Sequence, residues 1–132
     1  MGSNAKVILF YGVILRDGAV EPYREGEEED GVTVTPAGPE EGPAWLAYSG
    51  KADADGVTVL ALGHHGEHTH AVAIATTVKQ GRDWTPLEVR TSDLASAYND
   101  RLAAFLARWR LTKKVDRKAS PEPGWYAAPC YW

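Results

Sequence analysis

The chain has 132 residues, 44% of them apolar and 24% charged, with a formal net charge of −4 at pH 7. A chain of that size and balance is ordinary for a globular protein and can bury one core without staples, which predicts a single domain over 1–132. The negative balance removes any whole-surface argument for nucleic acid as a partner, and a lone cysteine, Cys130, excludes an internal disulfide and points to the cytoplasm.

Residues 6–15, KVILFYGVIL, form a continuous β-branched and aromatic run that ends at Arg16-Asp17-Gly18. It reads as a strand buried on both faces, and so central in its sheet. Gly12 inside it predicts a bulge or a close backbone approach. The run has the length of a signal-peptide core, but Arg16 and Asp17 stand where a small-residue cleavage site belongs, and it is too short to span a bilayer. Gly2 is not followed by a myristoylation signal, because Lys6 occupies the Ser/Thr position. No membrane partner is expected.

Residues 21–30, EPYREGEEED, carry six carboxylates and one arginine, which predicts a mobile, solvated acidic loop. Calcium loops alternate ligands with spacers around a glycine, and EEED does not. Residues 36–43, PAGPEEGP, are turn punctuation. AWLAYS, 44–49, reads as a short helix, with Trp45 and Tyr48 three apart and Pro43 at a first-turn position. DGVTV occurs at 30–34 and again at 55–59. Each copy is an Asp-Gly turn followed by β-branched residues that begin a strand.

GVTVLALG (56–63) and AVAIATTVK (71–79) predict an antiparallel hairpin. Strand period places Val72 and Ile74 on one face and Ala71, Ala73 and Ala75 on the other. A face of alanines lets a helix approach closely. That helix is read over 92–111, where Leu94, Tyr98, Leu102, Phe105 and Trp109 make one apolar stripe. Thr91 or Ser92 caps its start, and Lys113 and Lys114 complement the dipole at its end. The same account covers most of the basic run 108–118 as helix exterior, leaving RNA or DNA contact as a lesser reading. The aromatic tail 120–132, ending GWYAAPCYW, is expected to dock on the domain, because its rings would otherwise leave a large apolar patch exposed.

Every histidine lies in GHHGEHTH, 63–70. With Gly66-Glu67 as a two-residue type II′ turn, His65 faces His68, and His68 and His70 share a strand face. His65, His68 and His70 then converge, with His64 on the opposite side, as a candidate zinc site, and Glu67 would act as general base. Against this, the H-x-x-E-H spelling at 64–68 works on a helix rather than a hairpin. The H-x-H of His68 and His70 lacks the aspartate and histidine that metallo-β-lactamase-like hydrolases add, and a hairpin tip offers no rigid second shell. Nucleophile-elbow, P-loop and dinucleotide motifs are absent from the sequence. Cys130, behind Pro129 in the aromatic tail, reads as an inert thiol rather than a nucleophile.

The order of an FYGVIL-type first strand, an acidic loop, a short Trp-Leu segment and a histidine-tipped hairpin resembles a set of small uncharacterised phage and bacterial proteins. The likeness covers about the first half of the chain. The group has no assigned activity to transfer, so it implies no catalytic residues.

The sequence therefore predicts an α+β fold: a small antiparallel or mixed sheet with one long C-terminal helix packed on one face. It reads as a non-catalytic binding or interaction module with a protein or small-molecule partner, more readily than as an enzyme. The alternative is a zinc-dependent hydrolase built on the histidine cluster, and homodimerisation is a further expectation.

Overall fold

A computed structural model describes residues 5–20, 28–29, 32–33, 42–62, 69–82 and 95–131. Its centre is β1, Ala5–Ile14. One edge of β1 pairs antiparallel with β7, Gly124–Tyr131, from Ala5↔Tyr131 to Gly12↔Gly124. The other edge is shared by β5, Thr69–Ile74, and β6, Lys79–Arg82. Outside β5 lies β4, Val57–Leu62, in the register Val57↔Ile74 to Leu62↔Thr69. The five strands make one antiparallel sheet, and with its helices the chain is α+β. The continuous apolar run thus becomes the strand paired on both edges. Ile8, Phe10, Val13 and Leu15 are at most 1% exposed, and full burial of such side chains contributes about 1.5–3 kcal/mol each.

The strand opposite β1 is interrupted between β5 and β6. Gly12 pairs with Ala73 and Leu9 with Lys79, so Phe10 and Tyr11 face five residues, Ile74 to Val78. The excess folds into a 3-10 turn at Ala75–Thr77. The turn replaces the missing rung with a side chain: the Tyr11 amide donates to Thr77 Oγ1 (2.9 Å), and that hydroxyl donates to the Ile74 carbonyl (2.6 Å). Beside this bulge, Gly12 lies so close to β5 that a Cβ would stand 2.0 Å from the Val72 carbonyl oxygen. Of the two alternatives anticipated for Gly12, the close approach is the one it makes, and the extra residues lie in the facing strand, opposite Phe10 and Tyr11.

The sheet buries both faces. On one, Tyr11, Val13, Val57, Val59, Val72 and Ile74 pack with Leu102, Phe105 and Leu106 of α2, Ala95–Arg108, and with Leu46 of α1, Pro43–Ser49. Tyr11 fastens the helix by donating its hydroxyl to Asn99 Oδ1 (2.7 Å), with its ring 5.5 Å from Tyr98. On the other face, Ile8, Phe10, Ala71 and Ala73 meet Leu62 of β4 and Ala128 of β7. The two outer strands approach within 8 Å, Cα to Cα, so this face is concave. The helix therefore packs on the Val72–Ile74 face, not on the alanine face the sequence suggested. Ala71, Ala73 and Gly12 are small because the sheet curls over them, which twist and bulge together permit.

Pro43 opens α1, and Gly50 in the left-handed region (φ 70°) closes it, returning its amide to the Leu46 carbonyl (3.0 Å). The described part of α2 has 14 residues and stops at Arg108. Leu94 and the expected N-caps Thr91 and Ser92 lie outside the described residues. The stop is a Schellman turn: Leu111 N donates to Leu106 O (2.8 Å) and Arg110 N to Ala107 O (3.3 Å), with Arg110 at φ 57°. So the helix ends before 111, and it is not the C-terminal element. That place belongs to β7, where the aromatic tail has docked as a strand, with Trp125 edge-on to Tyr11 (5.7 Å, 85°). Pro129, opposite Val7, suits an outer strand.

Of the acidic segment, Glu28–Glu29 (β2) is strand-paired with Val32–Thr33 (β3), where a loop was expected, and residues 21–27 and 30 lie outside the described residues. The Asp-Gly pair between the two strands is the hairpin signal, and the β-branched pair after it supplies the partner strand. Among the described residues, no helix is long and apolar enough to cross a membrane.

Candidate functional site

Of the predicted zinc cluster, only His70 falls among the described residues; His64, His65, His68 and Glu67 lie outside them. His70 stands opposite Ala61 in the β4–β5 ladder, is 9% exposed, and its carbonyl accepts the Leu15 amide at 2.9 Å. It shares the face of Val72 and Ile74, which is the helix-covered core face. A two-residue turn at Gly66-Glu67 needs Leu62 opposite Ala71, whereas the ladder places Leu62 opposite Thr69. The described rungs thus run two residues out of the register that sets His65 across from His68. Among the described residues, no group of three or more His, Cys, Asp or Glu side chains is placed to hold a metal.

The basic segment after α2 takes on a different meaning. Because the helix ends at Arg108, only that cation lies in its last turn. Lys113 and Lys114 belong to a separate 3-10 turn, Thr112–Lys114, beyond the left-handed Arg110. Dipole compensation, which fades beyond the last turn, therefore explains Arg108 and not the rest. Arg108, Arg110, Lys113, Lys114, Arg117 and Lys118 are all exposed. Asp116, the one carboxylate among them, has its Oδ1 turned to the amides of Lys118 (3.0 Å) and Ala119 (3.2 Å).

A further cation arrives from far away in sequence. Val115 bridges antiparallel to Leu15 at the end of β1, and Arg16 N donates to Lys114 O at 2.8 Å. This bridge brings the backbones of Arg16 and Lys114 together, with both side chains exposed and Lys114 closing its 3-10 turn. Like charges gathered on neighbouring segments repel. Asp17, next along the chain, accepts a hydrogen bond from the Thr69 hydroxyl.

At the start of the segment, Arg108 stands over the Trp109 ring, 5.0 Å from its centroid. It also lines a cavity of about 160 Å³ with Trp45 of α1, Lys51 and Asp53. Asp53 Oδ1 accepts the amides of Asp55 and Val57, each at 2.9 Å, and so holds the turn into β4. Beside Trp45, Tyr48 is 59% exposed, with ring centroids 5.9 Å apart. The site thus joins aromatic rings and cations from α1, the turn after it and the end of α2. Sequence reasoning found the 108–118 run but missed Arg16, Lys51 and the two rings. Only the Trp45–Tyr48 spacing hinted at a shared helix face.

Comparison with protein-family models, curated proteins and solved structures returned no match for this chain. Its function is therefore read from the geometry alone.

Proposed function

We propose that the chain is a non-catalytic binding protein whose cationic face, running from Arg108 to Lys118 and including Arg16, holds a polyanionic partner. The bridge that brings Arg16, from the end of β1, to the exposed cations after α2 carries this reading. Folding gains nothing from gathering like charges on neighbouring segments. A bound anion converts the same cations into charge-assisted contacts. The whole-chain charge of −4 does not oppose this, because a local patch sets the local field within a screening length of about 8 Å at physiological salt. A zinc hydrolase draws no comparable support from His70, which faces the core.

Chromatography of tag-free protein on immobilised inorganic polyphosphate at about 50 mM salt tests the reading. Retention that falls with rising salt, and falls earlier for Arg16→Glu and Lys114→Glu, is the expected result. Wild-type protein that passes straight through at low salt ends it.

A further inference from the structure

On the outer edge of β4 we infer a second binding site, independent of the cationic face. An extended peptide of a partner protein adds there as a strand and seats an apolar side chain in the cavity beside it. The ladder decides which groups are available. Val57 turns its peptide groups away from β5: its carbonyl accepts the Asp53 amide (2.8 Å) and its amide donates to Asp53 Oδ1 (2.9 Å). Strand period turns Val59 and Ala61 the same way. The turn before β4 covers this edge as far as the bridge Ala52↔Thr58. Beyond it, among the described residues, the Val59 carbonyl and both peptide groups of Ala61 meet no strand, and Ala61 is exposed.

Composition leaves the same edge open. β6 carries Lys79 and Arg82, and β7 carries Pro129, residues that discourage strand addition. β4 is VTVLAL, with no charge and no proline. Beside it lies a cavity of about 290 Å³, with the buried Ile8 as floor, Leu60 and Val78 as walls, and the exposed Ala52 and Gln80 at the rim. Val59 and Ala61 line the same cavity, so the outward peptide groups and the hollow share one surface. No charged side chain lines it, and Thr58 spends its hydroxyl on the Lys51 carbonyl (2.8 Å). The inserted side chain is therefore aliphatic or aromatic, while the main chain beside it bonds Val59 and Ala61. A second copy of β4 fits less well. Its Leu60 and Leu62 stay packed on its own concave face, so edge-to-edge pairing fills neither cavity.

Titration of the isotope-labelled full chain with blocked pentapeptides Thr-Ser-X-Ser-Thr, where X is Val, Leu, Ile or Phe, tests the inference by nuclear magnetic resonance. The Ala61 amide signal is expected to move on binding, and its hydrogen exchange to slow. Glycine at X should weaken binding about 10- to 100-fold, the share of one buried apolar side chain. Methylation of the peptide's edge-facing amides should abolish it. Ala61→Pro removes an outward amide without taking a rung from the β4–β5 ladder, so the fold is kept and affinity should fall about 3- to 10-fold. Ala52→Trp, at the exposed rim, should fill the cavity and weaken the four X peptides towards the level of the glycine peptide. Three outcomes overturn the inference. They are no binding of any of the four peptides at millimolar concentration, equal binding of the methylated peptide, or a dimer that Ala61→Pro dissolves. Each leaves the polyanion reading intact, because polyphosphate retention is measured separately.

Discussion

The Ser120 hydroxyl stands in for a β-strand at Ile14. It accepts the Ile14 amide at 2.9 Å, and its single proton is shared between the carbonyls of Ile14 and Asp116, each 3.1 Å away. Pairing with β7 has already ended at Gly12↔Gly124, so Ile14 has no strand on that side. Ser120 is fully buried, so no water can replace it. Ser120→Ala should cost about 1–3 kcal/mol, because a buried amide loses its acceptor. Urea unfolding checks this as a lowered midpoint with an unchanged slope. A midpoint equal to wild type would show that the Ile14 amide has another partner.

Two glycines on facing rungs should respond oppositely to a methyl group. At Gly12 a Cβ lies 2.0 Å from the Val72 carbonyl, and that atom is backbone in the centre of the sheet. At Gly124 the nearest atom is Tyr126 Cε2, at an ordinary 3.8 Å. Gly12→Ala is expected to destabilise by about 3 kcal/mol or more, or to prevent folding. Gly124→Ala should lie within about 1 kcal/mol of wild type, since the smaller unfolded-state entropy offsets small losses. Thermal melts of the pair decide it, and equal melting temperatures would mean that the strands do not approach so closely.

Arg110 occupies the left-handed position that closes α2, with φ 57°. Glycine adopts that conformation without the Cβ penalty of about 1 kcal/mol. Leu111 is buried beyond it and returns its amide to Leu106, so the turn itself is kept. Arg110→Gly should stabilise the fold by about 0.5–1 kcal/mol and raise the melting temperature by about 2–4 °C, while weakening polyanion retention. A drop in melting temperature would show that the arginine side chain holds the turn through its own contacts.

Burial on both faces leaves an unbroken apolar signature, which is why the run at 6–15 is legible as a central strand. The stripe of Tyr98, Leu102, Phe105 and Trp109 is legible because it repeats at the helical period. The end of α2 is hidden, because its left-handed stop carries arginine instead of glycine. In β7, Ala127, Ala128 and Pro129 break the alternation that marks a strand, so only the density of rings suggests docking. His70 could have been placed on the core side, since strand period puts it on the face of Val72. The Arg16–Lys114 pairing has no local signature, because it exists only through the bridge between Leu15 and Val115.

Removal of residues 124–132 tests whether the aromatic tail is core. β7 pairs with β1 along eight rungs and contributes Ala128 and Trp125 to the two packed faces. Without it, β1 exposes an edge and the concave face opens, so loss of cooperative unfolding and aggregation are expected. A truncated chain with a native-like near-ultraviolet spectrum and a sharp melt would instead return the tail to the role of an appendage.

Arg16 and Lys114 should trade stability against binding. Arg16→Glu brings a carboxylate to the exposed cations after α2, which favours the fold by about 0.2–1 kcal/mol where the wild-type charges repel. The same change puts a carboxylate into the anion path, so polyphosphate affinity should fall as stability rises, the behaviour of a position kept for function. Adding Lys114→Glu restores like-charge repulsion with inverted sign, so the double variant should lose the stability gain and all retention. A double-mutant cycle reads the coupling directly, because the bridge between Leu15 and Val115 is what brings the two residues together. Additive stabilities across that cycle would separate the two cations and leave the proposed anion site without its centre.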